Sequence, residues 1–207
     1  MTATTRTDHA LERLVFFSDA VFAIAITLLV LEVHVPELPR GSPDSAYWQA
    51  LLELIPGLIG YFVSFAVIGM FWIGHHRAFS LASRHSRKMV GWNLVLLGII
   101  AFMPFATAFL THNIGERVPS LVYCFVLLMA ALLNILVVRI ATGPEMVDPN
   151  ADPIAVAYCR RRSLSVAFGA LTALVLSFWF PRYCQIGLAS IGLWRRLIAG
   201  RAPTGRA

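Results

Sequence analysis

The chain has 207 residues, 58% of them hydrophobic and 14% charged, with a formal net charge of +6 and a mean hydropathy of +0.72. A soluble domain of this length carries far more charge, so a water-soluble enzyme or carrier is excluded and a bilayer is the expected solvent. Three cysteines, Cys124, Cys159 and Cys184, are scattered without a CxxC pair, which leaves neither a zinc site nor a disulfide framework to read.

The apolar residues fall in runs of about twenty, the length an α-helix needs to cross a hydrocarbon layer about 30 Å thick. Only helices satisfy their own backbone in lipid, so the predicted fold is all-α, a single polytopic membrane domain over residues 1–207. The first predicted span covers 14–33. Its flank carries Asp8 and Glu12 beside Arg6 and Arg13, its apolar run is too long, and no small-residue cleavage site follows, so it reads as a retained helix rather than a signal peptide. A short proline-rich loop, Pro36 to Ser45, leads to the second span at 50–72. The third covers 90–111 and contains Pro104, and the fourth covers 119–139. A polar linker from Thr142 to Pro153 follows, whose prolines and Asn150 forbid a continuous helix. The fifth span is 163–180. The sixth, 184–199, has a short uninterrupted apolar stretch, Ile186 to Trp194, that would equally suit an interfacial helix.

Charge sets the predicted topology. The stretch from His75 to Lys88 holds Arg77, Arg84, Arg87 and Lys88, and that from Arg139 to Arg162 holds Arg139, Arg160, Arg161 and Arg162. The opposite loops hold Arg40, Arg117 and Arg182, three of 17 basic residues. Basic loops stay cytoplasmic. With Arg195, Arg196, Arg201 and Arg206 in the tail, both termini are expected in the cytoplasm, which needs an even number of crossings and favours six spans over five. The same asymmetry accounts for a pI near 9.8 through contact with anionic lipid, not nucleic acid, since no basic run is interleaved with aromatics on a soluble module.

The stretch RLVFFSDAVFAIAITLLVLEV, Arg13 to Val33, carries ionisable groups at the head of an otherwise apolar helix. A carboxylate at the bilayer centre costs about 2.5–3.5 kcal/mol on insertion scales, so Asp19 is a candidate functional residue. Two readings stand. In one, Asp19 lies near the headgroups and interacts with the helix dipole. In the other, Phe16 and Phe17 bury this turn, and Ser18 and Asp19 find partners on other helices. Partners are on offer in the second span, where Trp72, His75 and His76 share a helix face by their spacing. The alternative for these is an interfacial tryptophan anchor with solvated histidines.

The string Arg13-x-x-x-Phe17-Ser18-Asp19, followed by Ala20 to Leu29, resembles the first helix of the transmembrane protein 175 family of potassium channels, and Trp72-x-x-His75 agrees with it. The resemblance implies a homotetramer whose four first helices line a pore. It implies that Arg13, Phe17, Ser18 and Asp19 form a packing and hydrogen-bonding node, with Trp72 and His75 as partners, and are not the filter. It assigns Ile24 to the narrow constriction, Leu28 and Leu31 to further apolar layers, and Thr27 to a hydroxyl linked with selectivity. At 100° per residue from Ile24, Ala20 falls at about −40°, Thr27 at about −60°, Leu28 at about +40° and Leu31 at about −20°, one stripe with Asp19, Phe22 and Ile26 opposite. The helix is apolar nearly all round, so the resemblance, not periodicity, chooses the face. An apolar ring gates by dewetting, and neighbouring hydroxyls replace part of an ion's hydration. The Thr27 hydroxyl is also placed to bond back to the Ala23 carbonyl. No TVGYG-type loop is present, so modest discrimination between potassium and sodium is expected.

The expected function is passive conduction by a potassium-permeable cation channel in the cell membrane, of the bacterial plasma-membrane type. No enzyme activity, cofactor or resident metal is implied, and the partners are permeating potassium ions, the lipid bilayer and further copies of the chain. One first helix cannot enclose a pore, so oligomerisation is required. A proton-coupled small-solute transporter competes, with Asp19, Glu32 and the histidines as a relay and Pro104 as a helix break that has no counterpart in a second half. A membrane metalloenzyme is suggested by His75, His76 and His85, and weakened by the scatter of His9, His34 and His112. Glu32 and His34, at the outer end of the first helix, either attract cations or are solvated at the interface.

Overall fold

The computed structural model describes residues 9–34 and 36–200; Arg6, Asp8, Arg201 and Arg206 lie outside the described residues. These contain seven α-helices: α1 His9–Leu28, α2 Asp44–Glu53, α3 Ile55–Ser80, α4 Arg87–Thr111, α5 Arg117–Ala141, α6 Pro153–Trp179 and α7 Cys184–Trp194. No β-strand occurs among the described residues. Five segments are long and apolar enough to cross a membrane, namely His9–Glu32, Ile55–Ser80, Arg87–Thr111, Arg117–Ala141 and Pro153–Trp179.

Local chemistry sets most helix ends. α1 contains neither glycine nor proline, carries Glu12 in its first turn, and tightens into a 3-10 turn at Leu29–Glu32 before Pro36. The expected span at 50–72 is corrected at both ends. Its start belongs to a separate α2, because Pro56 lacks the N–H that a continuous helix would need and sits instead in the first turn of α3. Its end runs on to Ser80, so His75, His76 and Arg77 are helical and the connecting loop is short; buried Phe71, Ala78 and Phe79 hold that extension. The Ser86 side chain caps α4 by accepting from the Met89 amide at 3.2 Å. α4 continues through Pro104 to Thr111, so the break considered there is absent. Asp152 caps α6 by accepting from the Ile154 amide at 2.9 Å, with Pro153 in the first turn. α6 therefore starts ahead of the expected 163, and Arg160, Arg161 and Arg162 are helical; burial of Tyr158, Cys159 and Arg162 stabilises these added turns.

The expected segment 184–199 is helical over those bounds, and at that length it is not among the five segments long enough to cross a membrane. The 11 residues of α7 and a five-residue π turn, Arg195–Ala199, run antiparallel to α6. Gly187 lies on Ala173, so close that an added Cβ would come within 2.8 Å of the Ala173 Cα, and Gly169 receives the Ile191 side chain. Small residues at both points let the backbones approach. Trp194 Nε1 donates to Thr172 Oγ1 at 3.2 Å, and Ala199 shares a groove with Ala157 and Tyr158 near the start of α6.

α4 and α5 form the centre, α6 packs on α5, α7 on α6, and α1 lies at the other edge against α3 and α4. Asp19 is level with Trp72, and Glu32 with His112. The described ends, near His9 and Gly200, thus lie at the same end of the bundle. The Leu81–Ser86 loop and the Thr142–Asp152 linker sit there too, joined by hydrogen bonds from the Ser83 amide to the Met146 carbonyl (2.9 Å) and from the Asp148 amide to the Leu81 carbonyl (2.8 Å).

Candidate functional site

α1 has two unlike faces. Leu11, Leu14, Ser18, Phe22 and Ala25 are buried, continued by Leu29 in the 3-10 turn. Arg13, Phe16, Phe17, Ala20, Ile24, Thr27, Leu28 and Leu31 are exposed on the isolated subunit. Ile24, Leu28 and Leu31 are 57%, 40% and 72% exposed, so the apolar stripe is only partly covered by its own chain. Thr27 Oγ1 donates back to the Ala23 carbonyl (3.0 Å) or the Ile24 carbonyl (2.9 Å), the bond open to any helical threonine.

The buried face is tied to α3 and α4 through polar groups at the basic end of the bundle. Trp72 Nε1 donates to Asp19 Oδ1 at 2.8 Å. Ser18 Oγ donates to the Leu14 carbonyl at 2.7 Å and accepts from Asn93 Nδ2 at 2.8 Å. The Asn93 carbonyl lies 2.7 Å from His75 Nε2. As an amide oxygen only accepts, the imidazole proton resides on Nε2, and Nδ1 is left as a buried, unpartnered acceptor. The ring is clamped between Phe79, stacked at 4.1 Å, and Phe22 on α1 at 5.4 Å. In hydrocarbon each unsatisfied polar group costs free energy, so this chain of bonds fixes the depth and rotation of α1.

Trp72 meets Asp19 directly, whereas His75 reaches Ser18 only through Asn93. Asn93, missed by the sequence reading, was signalled by being a lone amide inside the run Val90 to Ala101. Arg13 and Phe17 are not part of this cluster. Both lie on the exposed side with Ile24, and Arg13 makes no hydrogen bond or ion pair among the described residues. The expectation that Phe16 and Phe17 bury the turn is corrected: they are 72% and 51% exposed, and Leu14 and Phe22 on the opposite side do the burying.

Two further polar groups occur, the first not anticipated and the second including Glu32 and His34. Ser64, Thr107 and Tyr123 bring their hydroxyls together across α3, α4 and α5, at 3.0 Å between Thr107 and Ser64 and 3.1 Å between Ser64 and Tyr123. At the far end, His112 Nε2 donates to the Glu32 carbonyl at 3.2 Å, and the His34 and His112 rings meet edge to face at 4.6 Å. Glu32, His34, Tyr61, Thr107 and His112 border a cavity of about 250 Å³ there. Among the described residues no three His, Cys, Asp or Glu side chains converge as a metal would require, and the three cysteines are buried thiols.

Five long apolar helices define a multi-pass α-helical membrane protein. The family model described as "Endosomal/lysosomal potassium channel TMEM175" matches residues 13–104, from the start of the exposed stripe to Pro104. "Potassium channel B446_29190" of Streptomyces collinus is 36% identical over 160 residues, 75% of each chain. The crystal structure of "a lysosomal potassium-selective channel TMEM175 homolog" from Chamaesiphon minutus is 30% identical, covers 94% of this chain and 100% of that one, and superposes with a TM-score of 0.78. The Danio rerio "Endosomal/lysosomal proton channel TMEM175" is 32% identical over 150 residues, 67% of this chain but 29% of that protein. The chain belongs to the TMEM175 family.

Proposed function

We propose that the chain is a potassium-permeable cation channel, a homotetramer in which four copies of α1 surround a central pore in the bacterial plasma membrane. The observation that carries this reading is the division of α1. One face is hydrogen-bonded through Ser18 and Asp19 to its own subunit, and the opposite stripe of Ile24, Leu28 and Leu31 is left for another copy or for ions. Ile24 is the narrow constriction, an apolar ring that closes by dewetting; Leu28 and Leu31 extend it toward the outside, and Thr27 offers a hydroxyl in place of ion hydration. The basic end of the bundle, with both termini, faces the cytoplasm. Asp19, Ser18, Trp72 and His75, with Asn93, hold the pore helix in register. Arg13 and Phe17 act from the exposed side of that helix, at the contact between subunits. The bacterial relatives' names favour potassium as the conducted ion.

Flux of potassium into vesicles carrying the purified protein tests this. Ile24→Ala is expected to widen the constriction and raise passive flux; unchanged flux moves the constriction elsewhere. Bilayer recordings with equal conductance for potassium and sodium would remove the selectivity. A native mass that stays monomeric in mild detergent would remove the tetramer. A second reading, proton conduction, is favoured by the name of the vertebrate relative; acidification of the vesicle lumen without a potassium gradient would select it. Solute accumulation against a gradient would instead revive the proton-coupled transporter.

A further inference from the structure

Behind α3, on the side turned away from the pore-helix contact, a charge is buried without a counter-charge. Arg162 of α6 is 9% exposed. Its guanidinium reaches α3 between Met70 and Gly74. Nη2 donates to the Met70 carbonyl at 3.5 Å, and the missing side chain of Gly74 makes room for Nη1, which a Cβ there would meet at 3.2 Å. That is one long hydrogen bond for a group with five N–H donors. Arg77 lies on the same face of α3, one turn beyond Gly74. Arg195 follows Trp194, whose carbonyl accepts from Ser165 at 3.4 Å, one turn from Arg162. The ion pair among the described residues is His9 with Glu12, so none of these three arginines has a carboxylate partner.

A buried guanidinium flanked within about one turn by two further basic side chains concentrates positive charge that favours an anion. Arg162 borders one small cavity, shared with Asn134. That cavity, about 10 Å³, holds at most one water, so the anion sits outside it, where Arg77 and Arg195 are exposed. The depth is that of a headgroup. Arg162 and Trp179 are seventeen residues apart on α6, about 26 Å along its axis, close to one hydrocarbon thickness. Leu193 and Leu197, on either side of Arg195, are 58% and 67% exposed, so the site opens toward acyl chains as well as water.

We propose that Arg77, Arg162 and Arg195 bind the phosphate of an anionic phospholipid headgroup between α3, α6 and the end of α7. The phosphate supplies the acceptors and the negative charge that the protein withholds, in the bidentate geometry arginine favours. Basic pockets between membrane helices at the positively charged side suit such headgroups.

The test uses the full chain in mild detergent, titrated with phosphatidylglycerol, phosphatidylcholine or inorganic phosphate, with retained lipid read by native mass spectrometry and thermal unfolding followed in parallel. Phosphatidylglycerol is expected to be retained and to raise the unfolding temperature, and the other two to do neither. The double variant Arg77→Gln/Arg195→Gln changes exposed side chains only. It is expected to unfold at the wild-type temperature without lipid and to bind phosphatidylglycerol about 30-fold more weakly, at about 1 kcal/mol per basic residue. Arg195→Gln alone is expected to lose about fivefold, and keeps the test open should the double variant not fold. Arg84→Gln/Arg87→Gln, exposed basic residues on the neighbouring loop and α4, is the control and is expected to bind as wild type. Equal binding by the double variant and wild type, or an equal loss in the control, overturns the site. Inorganic phosphate reproducing the stabilisation overturns the lipid as its source. The readout is binding, not conduction, so it fails or holds independently of the channel reading.

Discussion

α1 and α5 are almost equally apolar, with mean hydropathies of 2.5 and 2.8 over their best windows, yet 28% of the first window and 50% of the second is buried in the subunit. In water such a difference would mark α1 as misplaced. In lipid it does not, because acyl chains solvate leucine as well as a protein core does, and exposure of an apolar face carries no cost. What distinguishes the two helices is where polar groups go. α5 carries Tyr123, wholly buried, into the hydroxyl group of Ser64 and Thr107 at the centre. α1 sends Ser18 and Asp19 to Asn93 and Trp72 at one end only, and leaves Ile24, Leu28 and Leu31 largely or partly exposed. The core helix is packed on most sides, and the edge helix is held on one side only, by Leu14, Phe22, Ala25 and Leu29 and a few hydrogen bonds.

Substitutions along the two helices sharpen that contrast. The largest loss is expected in the core: Tyr123→Ala removes a fully buried aromatic ring and a hydroxyl partner, and should cost about 3–5 kcal/mol of subunit stability in denaturant titrations in mild detergent. Asn93→Leu keeps the volume but strips Ser18 and His75 of their shared partner, with an expected cost of about 2–3 kcal/mol from polar groups left unsatisfied. His75→Phe in that background should then cost much less than in wild type, because the two residues form one unit. Trp72→Phe retains most of the ring and loses only the bond to Asp19; about 1 kcal/mol is expected. The smallest effect on the subunit belongs to Ile24→Ala, within about 0.5 kcal/mol in unfolding of dissociated subunits, because more than half of that side chain is exposed. A large cost at Ile24, or none at Tyr123, would erase the distinction between edge and core.

The long spans were legible because roughly twenty apolar residues bounded by charge admit few other readings. The errors came where packing overrode local signals. Arg160 to Arg162 read as loop because they are charged, yet α6 includes them since Arg162 buries its stem between helices. The end of α3 read as loop because His75, His76 and Arg77 are polar, yet His75 is among the most buried side chains. Of the candidate site, Trp72 and Asp19 do meet, and their matching depth was readable from spacing within each span. Asn93 was not identified, because a lone amide in an apolar run announces that it needs a partner without saying which one. Arg13 and Phe17 looked like members of the cluster because they share its string of sequence. On a helix, residues five and two positions from Ser18 and Asp19 point elsewhere.

The sequence by itself determined that the chain is a bundle of membrane helices, which of its loops are basic, and that its first helix carries polar and charged residues at one end. Hydropathy and charge are properties of residues one at a time, so they survive without coordinates. Which face of α1 is tied and which is more exposed, that Asn93 joins His75 to Ser18, and that Arg162 reaches Met70 and Gly74 of α3 were decided only by the tertiary structure. Those facts depend on the rotation of each helix about its axis, and a helix that is apolar on every side leaves that rotation to its neighbours.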